Sequence, residues 1–273
     1  MLDGRKRVNF EVHVPLSCRS LWVSDLHLGT GAAKAAELLD FLAAVRPDRI
    51  YLVGDIVDLE RIRSRPMFPE SHRQVVRYLL DLAGSGTDIV YIPGNHDHEF
   101  RALFGRQICG IPVLPEATHV TGRGERLLVT HGDILDGRIR QGTNLEQFGA
   151  AAYSVLIDLD ASINAVGRLL GLGHVPVSTW IKQRLGAAHD YMQRFERTAV
   201  EYASERGFDG IVCGHIHRPT LARVAGCLYA NDGDWVEHGT ALAELPDGRL
   251  QLLQWQSRVV GIDSLPFTRQ LAA

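Results

Sequence analysis

Through the first 130 residues, short apolar runs rich in branched and aromatic side chains alternate with longer stretches whose apolar positions recur at helical spacing. The runs at 20–24, 50–53, 89–92 and 127–130 read as strands, and the periodic stretches 35–45 and 75–82 as helices between them. This is a β-α-β rhythm, and strands that are apolar almost throughout predict a sheet covered on both faces. After Asp136 the pattern changes to a long, glycine-interrupted helical region at roughly 144–206, before a strand resumes at 210–213. Residues 137–206 are therefore expected to be a helical cap or lid inserted into a single domain spanning 1–273. Beyond it, 221–224, 228–230, 240–245 and 250–255 are short runs separated by Gly and Asp, with a turn signal at Pro246-Asp247-Gly248. They predict antiparallel strands closing a second sheet, and the segment after Arg258 is expected to be loosely held.

The carboxyl ends of those strands carry the chemistry, which is where loops converge in α/β sheets. The first runs into Asp25 and His27, the second into Gly54, Asp55 and Asp58, and the third into Gly94, Asn95, His96 and Asp97. The fourth leads to His131, Gly132 and Asp133, and the strand at 210–213 to Gly214, His215 and His217. A single such pair carries little weight, because polar residues commonly cap strand ends. Five strands each delivering ligand-type residues to one end of a sheet point to a metal site, and five of the 12 histidines fall in these places.

Composition narrows the classes. With 273 residues, 45% of them hydrophobic, the chain can bury one large α/β core. At 22% charged residues and 27 scattered glycines it has no disordered, collagenous or coiled-coil signature. Its 29 Lys+Arg against 32 Asp+Glu leave a net charge of −3, so nothing attracts nucleic acid in general. At 7% aromatic residues and without a basic stripe, no nucleic-acid partner is expected. Charged residues interrupt the first 14 positions, and no run of about 18 apolar residues occurs, so a cytoplasmic protein is expected. Cys18, Cys109, Cys213 and Cys227 lie far apart and read as buried free thiols.

The five strand-end segments resemble, in order, the signature blocks of the calcineurin-like metallophosphoesterases, from Asp25 to His217. The resemblance implies an α/β fold, a four-layer αββα sandwich of two mixed β-sheets flanked by helices, with the helical cap as an insertion. It also implies one metal held by Asp25, His27, Asp55 and His217 and a second by Asp55, Asn95, His131 and His215, with Asp55 bridging. Mixed imidazole and carboxylate ligands suit Mn²⁺, Fe²⁺ or Zn²⁺ better than Ca²⁺, and Mn²⁺ is the leading expectation. Two such cations about 3.5–4 Å apart bind phosphate oxygens and lower the pKa of a shared water. His96 is placed to protonate the departing oxygen or stabilise its charge. Asp97 either orients His96 or caps its own loop, and Asp58 is read as a partner that fixes a ligating imidazole.

Within that family the chain is most similar to the UDP-2,3-diacylglucosamine diphosphatases of the lipid A pathway, in a longer branch. The resemblance rests on the segments 24–29, 52–58, 214–218 and Asn231-Asp232-Gly233-Asp234-Trp235. It implies hydrolysis of UDP-2,3-diacylglucosamine to UMP and 2,3-diacylglucosamine 1-phosphate. The alternative is a broader phosphomonoesterase or phosphodiesterase acting on a soluble nucleotide or phosphoprotein. His96 departs from the shorter lipid A enzymes, which carry Arg there, and matches the longer branch. Apolar runs in the cap broken by Gly167, Gly171 and Gly173 fit either a mobile lid over acyl chains or a helical hairpin packed on the sheets. Ser178, Lys182 and Arg184 resemble polar lid residues that meet the sugar nucleotide, or form a solvated helix face. Arg61, Arg63 and Arg65 read as an exposed loop or as a basic rim, which would allow peripheral contact with the inner membrane.

Overall fold

Branched and aromatic side chains at successive positions make β1 (Leu16–Val23), β2 (Val45–Val53) and β3 (Asp88–Ile92) strands with two apolar faces. The computed structural model describes residues 15–141 and 177–264, with side chains at 15–139 and 189–264. The three strands run parallel, Leu21 beside Ile50 and Ile50 beside Ile89. One face sends Leu21, Val23, Ile50, Leu52 and Ile89 into a core shared with α1 (Ala35–Ala43) and α3 (Glu70–Gly84), whose Leu38, Phe41, Leu42, Val75 and Leu79 are buried there. The other face sends Trp22, Tyr51, Val53, Val90 and Ile92 into a core shared with the second sheet. Each such side chain contributes roughly 1.5–3 kcal/mol by leaving water.

The remaining elements in chain order are α2 (Leu59–Ser64), a 3₁₀ turn (His98–Leu103), β4 (Gln107–Ile108), β5 (Ile111–Pro112), β6 (Ala117–Val120), β7 (Arg126–Val129), α4 (Leu135–Gln141) and α5 (Val177–Glu205). Then follow β8 (Gly210–Cys213), β9 (Thr220–Val224), β10 (Cys227–Asn231), β11 (Thr240–Glu244), β12 (Leu250–Trp255) and β13 (Val259–Ser264). The first sheet has the order β13-β12-β11-β1-β2-β3, the second β6-β7-β8-β10-β9, and β4-β5 is a small hairpin. Both large sheets are mixed, because β1, β2 and β3 and likewise β7, β8 and β10 are parallel while their outer neighbours are antiparallel. With helices alongside, this is the αββα arrangement.

Three expectations are corrected. The strands after residue 220 do not close one sheet: β9 and β10 join β8, whereas β11 crosses back to pair with β1, Ala243 opposite Leu21. β11 is buried at all five positions, and only a central place in a sheet covered on both sides satisfies that. The segment after Arg258 is ordered as β13, paired antiparallel to β12 as far as Ser264. Cys18, Cys213 and Cys227 are buried free thiols, but Cys109 is exposed in the β4–β5 turn with φ +50°.

Most of the expected cap, 142–176, lies outside the described residues. The chain divides into two compact units, Met1–Asp133 with Ala199–Ala273, and Ile134–Thr198. Within the smaller unit, the Tyr191 hydroxyl donates to Asp136 at 2.6 Å and Phe195 is fully buried. Within the larger, Ala199, Val200 and Ala203 at the end of α5 are buried. No described helix is long and apolar enough to cross a membrane.

Candidate metal centre

The parallel pairing of β1 and β2 continues past the strand ends and brings the first two loops together. Asp25 N–H donates to the Gly54 carbonyl (3.0 Å), His27 N–H to that of Asp55 (2.9 Å) and Leu28 N–H to that of Ile56 (3.0 Å). Asp58 N–H returns to the Leu28 carbonyl at 2.9 Å. Along this zipped pair Asp25, His27 and Asp55 adopt φ of +52°, +46° and +52°, and on the loop after β8 His215 and His217 adopt +71° and +50°. Left-handed backbone costs a non-glycine residue roughly 1–2 kcal/mol. Five ligand-type residues held this way are a stored strain of the kind that marks functional sites.

The side chains converge in three overlapping groups, Asp25 with His27 and His217, His27 with Asp55 and His96, and Asp25 with Asp55 and His131; the ligand atoms in each lie within 4.8 Å of one another. His27 Nε2 is 3.4 Å from His217 Nε2 and 3.9 Å from both Asp25 Oδ1 and Asp55 Oδ2. His131 Nε2 is 3.3 Å from Asp55 Oδ2 and 3.3 Å from Asn95 Oδ1, and the His215 ring centroid is 5.2 Å from that of His131. Asp55 thus stands between the imidazoles of both halves. The tautomer of His131 is set from behind: its Nδ1 lies 2.8 Å from the Val53 carbonyl, which can only accept, so Nε2 is the atom left to ligate once the ring is neutral. Asp25 Oδ1 is buried and lies 3.0 Å from His217 Nε2 and 3.9 Å from His27 Nε2. A buried carboxylate oxygen facing two imidazole nitrogens is a donor set that fits a divalent transition ion.

Space for these groups comes from glycines. A Cβ at Gly94 would lie 2.3 Å from Asp55 Oδ1 and 2.7 Å from His131 Nε2, and one at Gly214 would lie 2.4 Å from Asp25 Oδ2. Neither glycine has a left-handed φ, so close approach alone requires the missing side chain.

Of the two readings of Asp97 the geometry matches the loop-capping one, and Asp58 lies against the ligand-type His27 and against His96 as well. Asp97 is fully buried and accepts from Gly94 N–H (2.6 Å), Ile56 N–H (2.8 Å) and the Tyr91 hydroxyl (2.5 Å). It braces the loops and does not orient His96, because its lone pairs are already used. Asp58 does that instead: its Oδ2 is 3.1 Å from His96 Nδ1 and 3.3 Å from His27 Nδ1, while its Oδ1 caps α2 through Arg61 N–H at 2.8 Å. His96 is the one of these imidazoles with its side chain a third exposed.

Behind Asp25 stands a partner that the strand-end pattern does not mark. The Ser24 hydroxyl lies 2.5 Å from Asp25 Oδ2 and 2.7 Å from Oδ1 of Asp232, itself fully buried. One hydroxyl hydrogen cannot serve two carboxylates, so the arrangement closes only if Asp232 is the neutral acid donating to Ser24, and Ser24 donates to Asp25. Burial pushes the Asp232 carboxyl well above its ordinary range, in agreement. His72 is another such support: buried in α3, it accepts the Gly29 N–H on Nδ1 at 2.9 Å, and burial lowers its pKa.

The charges are mutually dependent. Burial raises Asp55 and Asp25, but the surrounding histidines outweigh it; Asp55 is held far below the carboxylate range and Asp25 falls to about 2. Burial likewise lowers His217, but Asp25 outweighs it and His217 rises to about 9. Pairing with Asp58 raises His96. A cluster that binds protons this firmly is a cluster that positive charge stabilises.

Ser178, Lys182 and Arg184 fall in the first turns of α5, but their side chains lie outside the described residues. Of the arginines after β2, Arg63 pairs with Glu99 at 2.5 Å, Arg61 belongs to the capped turn of α2, and Arg65 ends that helix.

Two mixed sheets with a histidine–carboxylate centre at their carboxyl ends define a metal-dependent phosphoric-ester hydrolase, and residues 18–219 match the calcineurin-like phosphoesterase family. The chain belongs to that family. Proteins named UDP-2,3-diacylglucosamine hydrolase are similar over most of its length. The one from Xanthomonas campestris pv. campestris (strain B100) is 29% identical over 241 residues, covering 84% of this chain and 96% of its own. That from Edwardsiella ictaluri is 26% identical over 237 residues, covering 82% and 87%. Among solved structures, Yfce, a phosphoesterase from E. coli, is 16% identical, covering 91% of this chain and 99% of its own, with a TM-score of 0.48.

Proposed function

We propose that this chain hydrolyses the pyrophosphate bond of UDP-2,3-diacylglucosamine, giving UMP and 2,3-diacylglucosamine 1-phosphate, with two divalent cations, Mn²⁺ first among them. The observation that carries the reading is the convergence of Asp25, His27, Asp55, His131 and His217 in groups that overlap through Asp25, His27 and Asp55, in a chain whose relatives bear that hydrolase name. Asp25, His27, Asp55 and His217 hold one cation and Asp55, Asn95, His131 and His215 the other. Divalent cations there supply Lewis acidity, offsetting phosphate charge and activating water at neutral pH.

The protein's own groups do the rest. Asp58 holds the His27 and His96 rings by their Nδ1 atoms. His96, paired with that carboxylate and a third exposed at the site, is the general acid: its Nε2 proton goes to the bridging oxygen as the P–O bond breaks and water supplies the new oxygen. Ser178, Lys182 and Arg184 are read as contacts to the sugar nucleotide, and Arg61 and Arg65 favour contact with an anionic membrane surface. The test is release of UMP from UDP-2,3-diacylglucosamine by Mn²⁺-loaded protein, beside bis(p-nitrophenyl) phosphate and an EDTA control. Metal-dependent diester cleavage with no UMP overturns the substrate and keeps the chemistry.

Two further results are expected. Ser24→Ala removes the hydrogen bond that fixes Asp25 Oδ2, and divalent-metal affinity measured by titration calorimetry falls about 10- to 100-fold. Asp232→Asn, a neutral side chain of equal size, keeps most of that affinity; a loss as large as that of Ser24→Ala would show Asp232 to be ionised.

Metal binding also depends on pH. With its folded-state pKa raised to about 9, His217 in metal-free protein is protonated at pH 7 and must lose that proton to ligate. Affinity therefore rises by up to about tenfold per pH unit until pH 9. His217 stabilises the metal-free fold fully below its unfolded pKa of about 6.5, and this contribution is lost as pH rises through 9. Thermal melts with EDTA and with Mn²⁺ at pH 6.5, 7.5 and 9 should show a metal-induced rise in Tm that grows across the window; a rise independent of pH counts against His217 as a ligand.

A further inference from the structure

Asp133 stands two places after His131, in a segment rich in ligand-type residues, yet among the described residues it joins none of the groups able to hold a cation. Its Oδ2 instead accepts a hydrogen bond from Arg101 Nη2 at 2.7 Å, the two side chains being 15% and 33% exposed. Arg101 sits in the 3₁₀ turn after β3, and the same Nη2 reaches the Pro93 carbonyl at 3.4 Å. We infer that Arg101 and Asp133 are a positioning pair for the second cation, holding the loop that carries Asn95 against the loop that carries His131. The inference rests on the reading of a centre with two cations.

Asn95 and His131 come from different sheets. β3 is an edge strand of the first and β7 an inner strand of the second, and the layer that Val90, Ile92, Leu127 and Val129 share is apolar. Hydrophobic contact is non-directional, so it brings the two strand ends together without fixing them to a fraction of an ångström. Ligation is more exacting, with metal–ligand distances held within about 0.2 Å. Asn95 Oδ1 and His131 Nε2 stand 3.3 Å apart, and directional hydrogen bonds set that separation. On the second sheet, the Val53 carbonyl fixes the His131 imidazole, and Gly132, at φ +114°, lets His131 and Asp133 serve different partners. On the first, Asp97 anchors the start of the Asn95 loop through the Gly94 and Ile56 N–H groups, and Arg101 closes its far end onto Asp133. A guanidinium–carboxylate bond is charge-assisted and adds geometric specificity that apolar packing lacks. Charge alone would make Arg101 a hindrance to a nearby cation, so a positioning role and an electrostatic role carry opposite signs.

The test is titration calorimetry of full-length, metal-stripped protein with Mn²⁺. The wild type is expected to bind two ions per chain, and Asn95→Ala identifies the second by weakening it selectively. Arg101→Ala should weaken that same event about 10- to 100-fold, the range for a residue that holds a ligand in place, and leave the other within about threefold. Asp133→Ala should do likewise, and the double variant should lose no more than the worse single one, as partners in one interaction do. Arg101→Lys should restore most of the affinity, because a single hydrogen bond, from Nη2, joins the pair. Affinity for the second ion unchanged or raised in Arg101→Ala, or both ions weakened alike, overturns the positioning role and leaves the two-cation reading standing. One ion per chain in the wild type overturns that reading and the pair's role with it. Two ions with a loss confined to the second uphold both, whether or not the protein releases UMP from UDP-2,3-diacylglucosamine.

Discussion

Asp55→Ala is expected to lose at least about 10³-fold in kcat/KM on any phosphodiester, because the Asp55 carboxylate lies against imidazoles of both halves of the centre. Its Oδ2 is 3.3 Å from His131 Nε2 and 3.9 Å from His27 Nε2, and its Oδ1 accepts the His96 N–H at 2.8 Å. Metal-ion catalysis supplies several kcal/mol of transition-state stabilisation, and three decades correspond to about 4 kcal/mol. The substitution also takes the partner from His131 Nε2 and from the His96 N–H, so the metal-free protein should melt lower than wild type, and the informative quantity is the metal-induced rise rather than the absolute Tm. The measurement is a pair of melts, with EDTA and with Mn²⁺, beside steady-state hydrolysis. The metal-induced rise in Tm should vanish with the activity; turnover within tenfold of wild type would sink the shared-ligand arrangement.

His96→Ala is expected to cost about 10²–10⁴ in kcat, the range for a general acid, while leaving the metal-induced rise in Tm in place. The two readouts separate its possible roles, since His96 also falls within 4.8 Å of His27 and Asp55 as a group able to hold a cation. An acid matters most where the departing oxygen is basic, so the loss should be large for alkyl or phosphate leaving groups and small for p-nitrophenolate. Equal losses for both, together with a lost metal shift, would make His96 a ligand. Asp58→Asn should reproduce part of the effect, because Asn still caps α2 but no longer offers a carboxylate to the His27 and His96 rings.

Much of the centre is legible in the amino-acid sequence alone. Asp25, His27, Asp55, His131 and His217 sit directly after apolar runs, and an apolar run ending in ligand-type residues is a local signal. The supporting groups are not legible in the same way. Ser24 precedes a ligand and looks like any small strand-end residue, while Asp232 lies more than two hundred positions away and meets it only because β10 ends beside β1. The two readings of Asp97, orienting His96 or capping its own loop, are told apart only by geometry: the turn after β3 points its carboxylate at the Gly94 and Ile56 N–H groups.

The β-α-β order, the two-faced burial of β1 to β3 and the ligand types at the strand ends can all be read along the chain. These are local properties, written in side-chain periodicity and in residues adjacent along the chain. Folding alone settles which sheet each late strand joins and which carboxylate orients His96. Those outcomes depend on pairings between segments far apart in sequence. Apolar β11 satisfies the pattern of either sheet, and only the burial available beside β1 selects one.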